Sequence, residues 1–123
     1  MKILITGSSG FIGFHLSKLL LENGNTIHGI DSMNNYYDVS LKKARLKILL
    51  KYKKFSFSKI DLENNQKIEN IFKKFKPKVV IHLAAQAGVR YSIDKPRVYL
   101  NSNIDGTFNV IESSHKVKVN HLI

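Results

Sequence analysis

Short unbroken apolar runs alternate along the chain with stretches of helical period, the pattern of βαβ units whose parallel sheet is covered on both faces. Ile3-Leu4-Ile5 reads as a first strand. From Phe11 the period changes: Ile12, Leu16, Leu19 and Leu20 recur at helical spacing on one face, and Asn23-Gly24 is a stop, glycine supplying the left-handed cap. Thr26 to Ile30 makes a second strand that ends at Asp31, followed by an Asn- and Tyr-rich loop through Tyr37, with Asp38 as N-cap of the next helix. In that helix Leu41, Ala44, Ile48 and Tyr52 are the face expected to pack on the sheet, the lysines taking the other. Phe55 to Ile60 is a third strand. Asn64 or Asn65 opens a helix whose Ile68, Ile71, Phe72 and Phe75 point inward before Pro77 ends it. Val79 to Leu83 reads as a fully buried fourth strand and, after a loop over 84–96, residues 97–115 as a long helix burying Val98, Ile104, Phe108 and Ile111. Val119 to Ile123 begins a fifth strand. The expected fold is α/β, a doubly wound parallel sheet of about five strands in one domain over 1–123. An apolar strand at the last residue leaves an open edge, so the chain is expected to continue beyond Ile123.

Composition changes this picture little. There is no cysteine, which removes disulfides and thiolate metal sites and points to a reducing, cytoplasmic setting. Only three apolar residues precede Thr6-Gly7, too few for a signal-peptide core or a membrane span. The net charge of +11 raises nucleic acid as a partner. The cations are mostly lysines, among them Lys42, Lys43, Lys47, Lys51, Lys53 and Lys54, while arginine is limited to Arg45, Arg90 and Arg97. That balance reads as solvated helix faces and not as a base-reading surface. The histidines lack ligand spacing, so no metal is expected; His15 and His82 read as satisfied core or turn residues.

Chemistry concentrates where the first strand turns into the first helix. Thr6-Gly-Ser-Ser-Gly-Phe-Ile-Gly13 has the spacing G-x-x-G-x-x-G. Gly7 allows the tight turn, Gly10 lets backbone approach a pyrophosphate at the helix N-terminus, and Gly13 lets the helix lie close on the strand. The plain alternative is a glycine-rich turn, which the flanking strand, the amphipathic helix and the acid at the next strand end make the weaker reading. That acid, Asp31, can accept hydrogen bonds from the ribose hydroxyls and would repel the extra phosphate of NADP. No Arg follows it to rescue NADP, so NAD is the expected cofactor; the competing reading is a simple loop cap.

These motifs, with Asp61-Leu62 and His82-Leu-Ala-Ala85, resemble in order the cofactor motifs of the extended short-chain dehydrogenase/reductases, whose fold is Rossmann-like. The resemblance covers the whole chain. It implies that Phe11 and Ile12 lie in the phosphate turn, that Asp61 bonds the adenine amino group and Leu62 its ring edge, and that Leu83, Ala84 and Ala85 pass beside the middle of the cofactor. Asn103, within Asn101-Ser-Asn-Ile-Asp-Gly-Thr107, would hold strand and cofactor, and Asn35 would reach the adenosine. Asp31 to Leu46 and Ala84-Ala-Gln-Ala-Gly-Val-Arg-Tyr-Ser92 resemble the UDP-glucuronate 4-epimerases in particular. Related sugar-nucleotide 4,6-dehydratases usually carry Glu-Ser-His-Val-Asp where this chain has Gln86-Ala-Gly-Val-Arg90. Val89 and Arg90 then become candidates for the nucleotide-sugar substrate, with a surface or bracing Arg as the equal alternative.

What the resemblance implies is a redox-neutral epimerisation at the sugar C4 through a 4-keto intermediate, with NAD carrying the hydride and a Tyr-x-x-x-Lys pair and a Ser or Thr doing the proton chemistry. That pair is expected beyond Ile123, so no catalytic residue is assigned within the chain, and residues 1–123 alone are expected to be inactive. Tyr91-x-x-x-Lys95 has the spacing, but Pro96 should pull Lys95 out of helical geometry. The family tends to form homodimers. The competing classes are a 4,6-dehydratase or decarboxylase of the same superfamily, a non-catalytic dinucleotide-binding module, and a basic nucleic-acid binder.

Overall fold

In the computed structural model, which describes residues 1–123, five parallel strands form one sheet in the order β3-β2-β1-β4-β5. They are β1 (Lys2–Thr6), β2 (Thr26–Asp31), β3 (Phe55–Lys59), β4 (Val79–His82) and β5 (His121–Leu122). The helices between them are α1 (Phe11–Glu22), α2 (Val39–Leu49), α3 (Asn65–Phe75), α4 (Val89–Asp94), α5 (Pro96–Tyr99) and α6 (Gly106–Lys116). Strand order runs outward from β1 in both directions, so the β1/β4 junction is the switch point where open α/β sheets leave a crevice beyond the strand ends. No helix is long and apolar enough to cross a membrane.

The pleat of β1 sorts the core. Ile3 and Ile5 face one way, into a cluster with Phe14, Leu21, Ile27, Leu49 and Phe55 beneath α1 and α2. Leu4 faces the other, with Ile30, Leu62, Ile68, Phe72, Val80 and Val110 beneath α3 and α6. Caps follow the sequence reading: Asp38 accepts from the Ser40 amide, Asn64 from the Lys67 amide, and Gly24 takes φ +82 after α1. The inward face of α3 is also as expected, Ile68 and Phe72 being fully buried with Ile71 and Phe75 packed beside them.

The other long helices present different faces from those expected. In α1 the buried residues are Gly13, Phe14, Ser17 and Leu21; of the expected face Leu16 and Leu20 are half-buried against the core, while Ile12 and Leu19 lie out in solvent. Gly13 and Ser17 face inward because the helix lies close over the glycine turn, where a larger side chain would collide with backbone. In α2 the inward side carries Lys42, Arg45, Leu46 and Leu49, and Leu41, Ala44 and Ile48 are exposed. The long helix expected over 97–115 is α5, a widened π turn at Leu100–Asp105, and α6. It buries Gly106, Asn109, Val110, Ser113 and Ser114 and leaves Leu100, Ile104, Phe108 and Ile111 exposed, with Val98 only half-buried. In both α1 and α6 small residues make the close helix–sheet approach, and along α6 and the π turn before it the larger apolar residues Ile104, Phe108 and Ile111 are turned away. β4 is not fully buried: Val80 is, whereas Val79 and Ile81 remain partly accessible. The fifth strand is two residues long and forms the sheet edge.

Candidate nucleotide-binding cleft

Beyond the carboxyl ends of β1, β2 and β4 lies a cleft of about 810 Å³. The turn at its floor is built by backbone. Gly7 takes φ +70, and its amide and that of Ser8 both donate to the Ile30 carbonyl of β2, at 2.7 and 3.2 Å. A Cβ on Gly13 would sit 2.8 Å from the Gly7 carbonyl carbon and 3.0 Å from Ser8 Cα, and closer still to the Gly7 oxygen. Only glycine lets α1 start here. Its N-cap, Gly10, offers no side-chain hydrogen bond and the first turn holds no acidic residue, so the leading amides of Phe11, Ile12 and Gly13 have no partner in the helix. Such a helix mouth suits an anion.

Asp31 closes one side. Its side chain is 3 % exposed. Oδ2 accepts from the Ser9 amide at 3.1 Å, and Oδ1 from the Met33 amide at 2.8 Å and the Lys42 ammonium at 3.0 Å. Met33 holds a left-handed φ of 56 in this Asx turn, a conformation the carboxylate stabilises. The carboxylate therefore ties the second strand's end to the glycine turn. Arg45, one turn along α2, donates to the Ser9 carbonyl at 3.4 Å and lies 5.9 Å over the Phe11 ring.

The opposite wall is set by Thr6 and His82. Thr6 Oγ1 accepts from the amides of Leu83 and Ala84, each at 3.1 Å, and lies 2.7 Å from His82 Nδ1; His82 Nε2 lies 2.9 Å from Thr107 Oγ1. With both lone pairs taken, the Thr6 hydroxyl donates its proton to Nδ1, so the imidazole carries hydrogen on Nε2 and donates to Thr107. Burial pushes the His82 pKa down from its ordinary value. Protonation would set a second donor against the Thr6 hydroxyl.

Asn103 faces Gln86 from the π turn, its Oδ1 accepting from the Gln86 amide at 2.7 Å and its Nδ2 donating to the Gln86 carbonyl at 3.0 Å. It fixes the strap that runs on from β4. A tyrosine group, Tyr36 with Tyr37 and Tyr91, and Tyr91 with Tyr99, joins the loop after β2 to the segment after Gly88 across the cleft mouth.

Of the residues singled out from sequence, Gly7, Gly10, Phe11, Asp31, Asp61, Leu62, Leu83, Ala84 and Ala85 line this one cleft. Ile12 and Gly13 stand behind the turn, and Asn103 acts through Gln86. Asn34 lines the cleft where Asn35 was expected, and Val89 and Arg90 are exposed outside it. Lys95 leaves helical geometry at φ −132, ψ 57, as Pro96 requires. His82 is satisfied as expected, whereas His15 is exposed against Phe11 and Phe14. Sequence reasoning missed Thr6 as a cleft-building residue and misplaced Lys42 and Arg45 on a solvated face.

The sequence model described as GDP-mannose 4,6 dehydratase matches residues 4–123. The protein CapI of Staphylococcus aureus is 51 % identical over the whole chain, which spans 36 % of that protein. A UDP-glucuronate 4-epimerase of Thermodesulfobacterium geofontis is 44 % identical over 98 % of the chain and 37 % of its own length. Among solved structures, a mutant UDP-glucuronic acid 4-epimerase from Bacillus cereus, in complex with UDP-4-deoxy-4-fluoro-glucuronic acid and NAD, superposes with a TM-score of 0.90 at 32 % identity, over 99 % of this chain and 38 % of that one. The chain thus spans little more than a third of the length of the relatives it matches.

Proposed function

The chain belongs to the GDP-mannose 4,6 dehydratase family, and on that premise we propose that residues 1–123 form the NAD-binding part of a nucleotide-sugar 4-epimerase whose substrate is UDP-glucuronate. The observation that carries the reading is the pairing of unpartnered first-turn amides on α1 with the buried carboxylate of Asp31 across one cleft. The amides suit a pyrophosphate, and the lone pair left on Asp31 Oδ2 suits a ribose hydroxyl beside it. Asp61 and Leu62 line the same cleft and suit an adenine, and Leu83, Ala84 and Ala85 line it after β4, the two alanines leaving room for the middle of a dinucleotide. Bound NAD supplies a hydride acceptor and donor for the sugar C4. The chain's own part is to hold the dinucleotide, exclude water and orient it; no residue within 1–123 is assigned to proton transfer.

The epimerase reading over the dehydratase one is supported by Gln86-Ala-Gly-Val-Arg90 and by the relatives that carry the epimerase name. Val89 and Arg90 remain the substrate-side candidates, Arg90 offering a fork of donors to an anionic sugar or phosphate. The exposed stripe of Leu100, Ile104, Phe108 and Ile111 supports a homodimer, since it presents apolar side chains along one helix face. Incubating the complete protein with UDP-glucuronate and resolving the products by anion-exchange chromatography tests the function. UDP-galacturonate is expected; a 4-keto-6-deoxy or decarboxylated product would move the assignment to the other family chemistries, and no turnover with tight NAD binding would favour a sensing module.

A further inference from the structure

We propose that Lys42 is the specificity-determining residue of the adenosine side of this cleft, setting how strictly a phosphate on the ribose 2′ position is refused. The proposal rests on the dinucleotide reading above. An unpartnered carboxylate at the end of β2 would repel a 2′-phosphate by direct charge opposition. Asp31 is not unpartnered. Lys42 lies 3.0 Å from its Oδ1, and the two side chains are 15 % and 3 % exposed, so the pair is shielded from solvent and weakly screened. One positive charge thus meets the one negative charge at the ribose position. Arg45, one turn on, adds a second cation to the same wall of the cleft, held by the Ser9 carbonyl.

Refusal of NADP therefore reflects a balance between Asp31 and Lys42, with Arg45 weighing toward acceptance and Asp38, on the same side of the cleft, against it. The amides of Ser9 and Met33 hold the carboxylate in place independently of the lysine. Removing Lys42 should then leave the ribose-binding geometry largely intact while exposing a 2′-phosphate to the unopposed charge of Asp31. Removing the charge of Asp31 should leave Lys42 free to meet that phosphate.

Isothermal titration of NAD and of NADP into the complete protein, freed of bound nucleotide, gives the ratio of their dissociation constants. Lys42→Met should raise the NADP-to-NAD ratio by about tenfold or more, as loss of a shielded cation near a phosphate implies. Lys42→Arg, which keeps the charge, should hold the ratio within about threefold of the parent. Asp31→Asn should lower it by about tenfold or more. A ratio that stays within about threefold of the parent in Lys42→Met overturns the proposal. If thermal melting shows that variant unfolded, an unmoved ratio in Asp31→Asn overturns it instead. A parent that binds NAD with unmoved ratios in the variants defeats only the role of Lys42; a parent that binds neither dinucleotide defeats the function proposed above.

Discussion

Gly13→Ala isolates the contact on which the phosphate turn depends. The added methyl would lie 2.8 and 3.0 Å from the Gly7 carbonyl carbon and Ser8 Cα, against an ordinary carbon separation of about 3.5–4.0 Å. Both neighbours are backbone and cannot rotate away, so α1 must lift by several tenths of an ångström or more. Overpacking of this kind costs about 1–3 kcal/mol, and the contacts place it in the upper part of that range. Alanine returns about 1 kcal/mol as the better helix former. The net loss is about 1–2 kcal/mol, a fall in melting midpoint of roughly 5 °C. Lifting the helix mouth also pulls its amides from the pyrophosphate. Losing one hydrogen bond to a charged acceptor, about 1.5–3 kcal/mol, weakens NAD by about ten- to a hundredfold. Urea unfolding and NAD titration on the same preparation measure both. Gly24→Ala is the control: nothing lies within 4 Å of the added carbon, but φ is +82. It should lose about 1 kcal/mol through backbone strain and leave NAD binding unchanged. A Gly13→Ala protein as stable as the parent with undiminished affinity, or a Gly24→Ala protein that binds NAD equally poorly, would refute the reasoning.

Thr6→Val keeps shape but strands the backbone amide of Ala84 and His82 Nδ1 and removes one acceptor from the Leu83 amide; a loss of about 2–3 kcal/mol in urea unfolding is expected, and a change under about 0.5 kcal/mol would dismiss the role given to the hydroxyl. Because burial depresses the folded-state pKa of His82, the unfolded chain binds the extra proton first as pH falls below the ordinary value of 6.5. Stability should then be level at higher pH and decline from about 6.5 downward. His28, lowered by burial and by Lys74, contributes with the same sign. Comparing His82→Asn with the parent from pH 8 to 5 separates the two, and an unchanged slope would exclude His82. Phe108→Glu charges the middle of the exposed stripe on α6; the complete protein should sediment as a dimer and the variant as a monomer, and identical sedimentation would remove that face from the interface.

The order of the five strands and of α1, α2 and α3 was legible because each apolar run is short, those three helices are marked by a cap or stop, and β1 needs only Ile3, Leu4 and Ile5 to serve both cores, whereas α4 lies within the stretch read as a loop over 84–96 and has no side-chain cap. The glycine turn was legible because Gly7 takes φ +70 and Gly13 lies against the Gly7 backbone, two positions that admit no side chain without strain or collision. The helix faces were misread where two stripes compete. In α1 and α6 the side against the sheet is chosen by closeness of approach, so Gly13, Ser17, Gly106 and Ser113 lie inside and larger apolar residues outside. In α6 hydrophobicity alone ranks the stripes the wrong way round, and in α1 it finds Leu16 and Leu20 but also the exposed Ile12 and Leu19. Lys42 and Arg45 were hidden for a related reason: in a lysine-rich helix nothing local distinguishes the cation that reaches a buried carboxylate from those facing water. Asp31 and Lys42 are eleven residues apart and meet only because α2 folds back over the end of β2.

A crystal structure of the protein with NAD bound tests the central claim most directly. The pyrophosphate is expected at the amides opening α1 and an adenosine ribose hydroxyl on Asp31, with the adenine running toward Asp61 and Leu62. A dinucleotide bound elsewhere, or with its ribose away from Asp31, would contradict it.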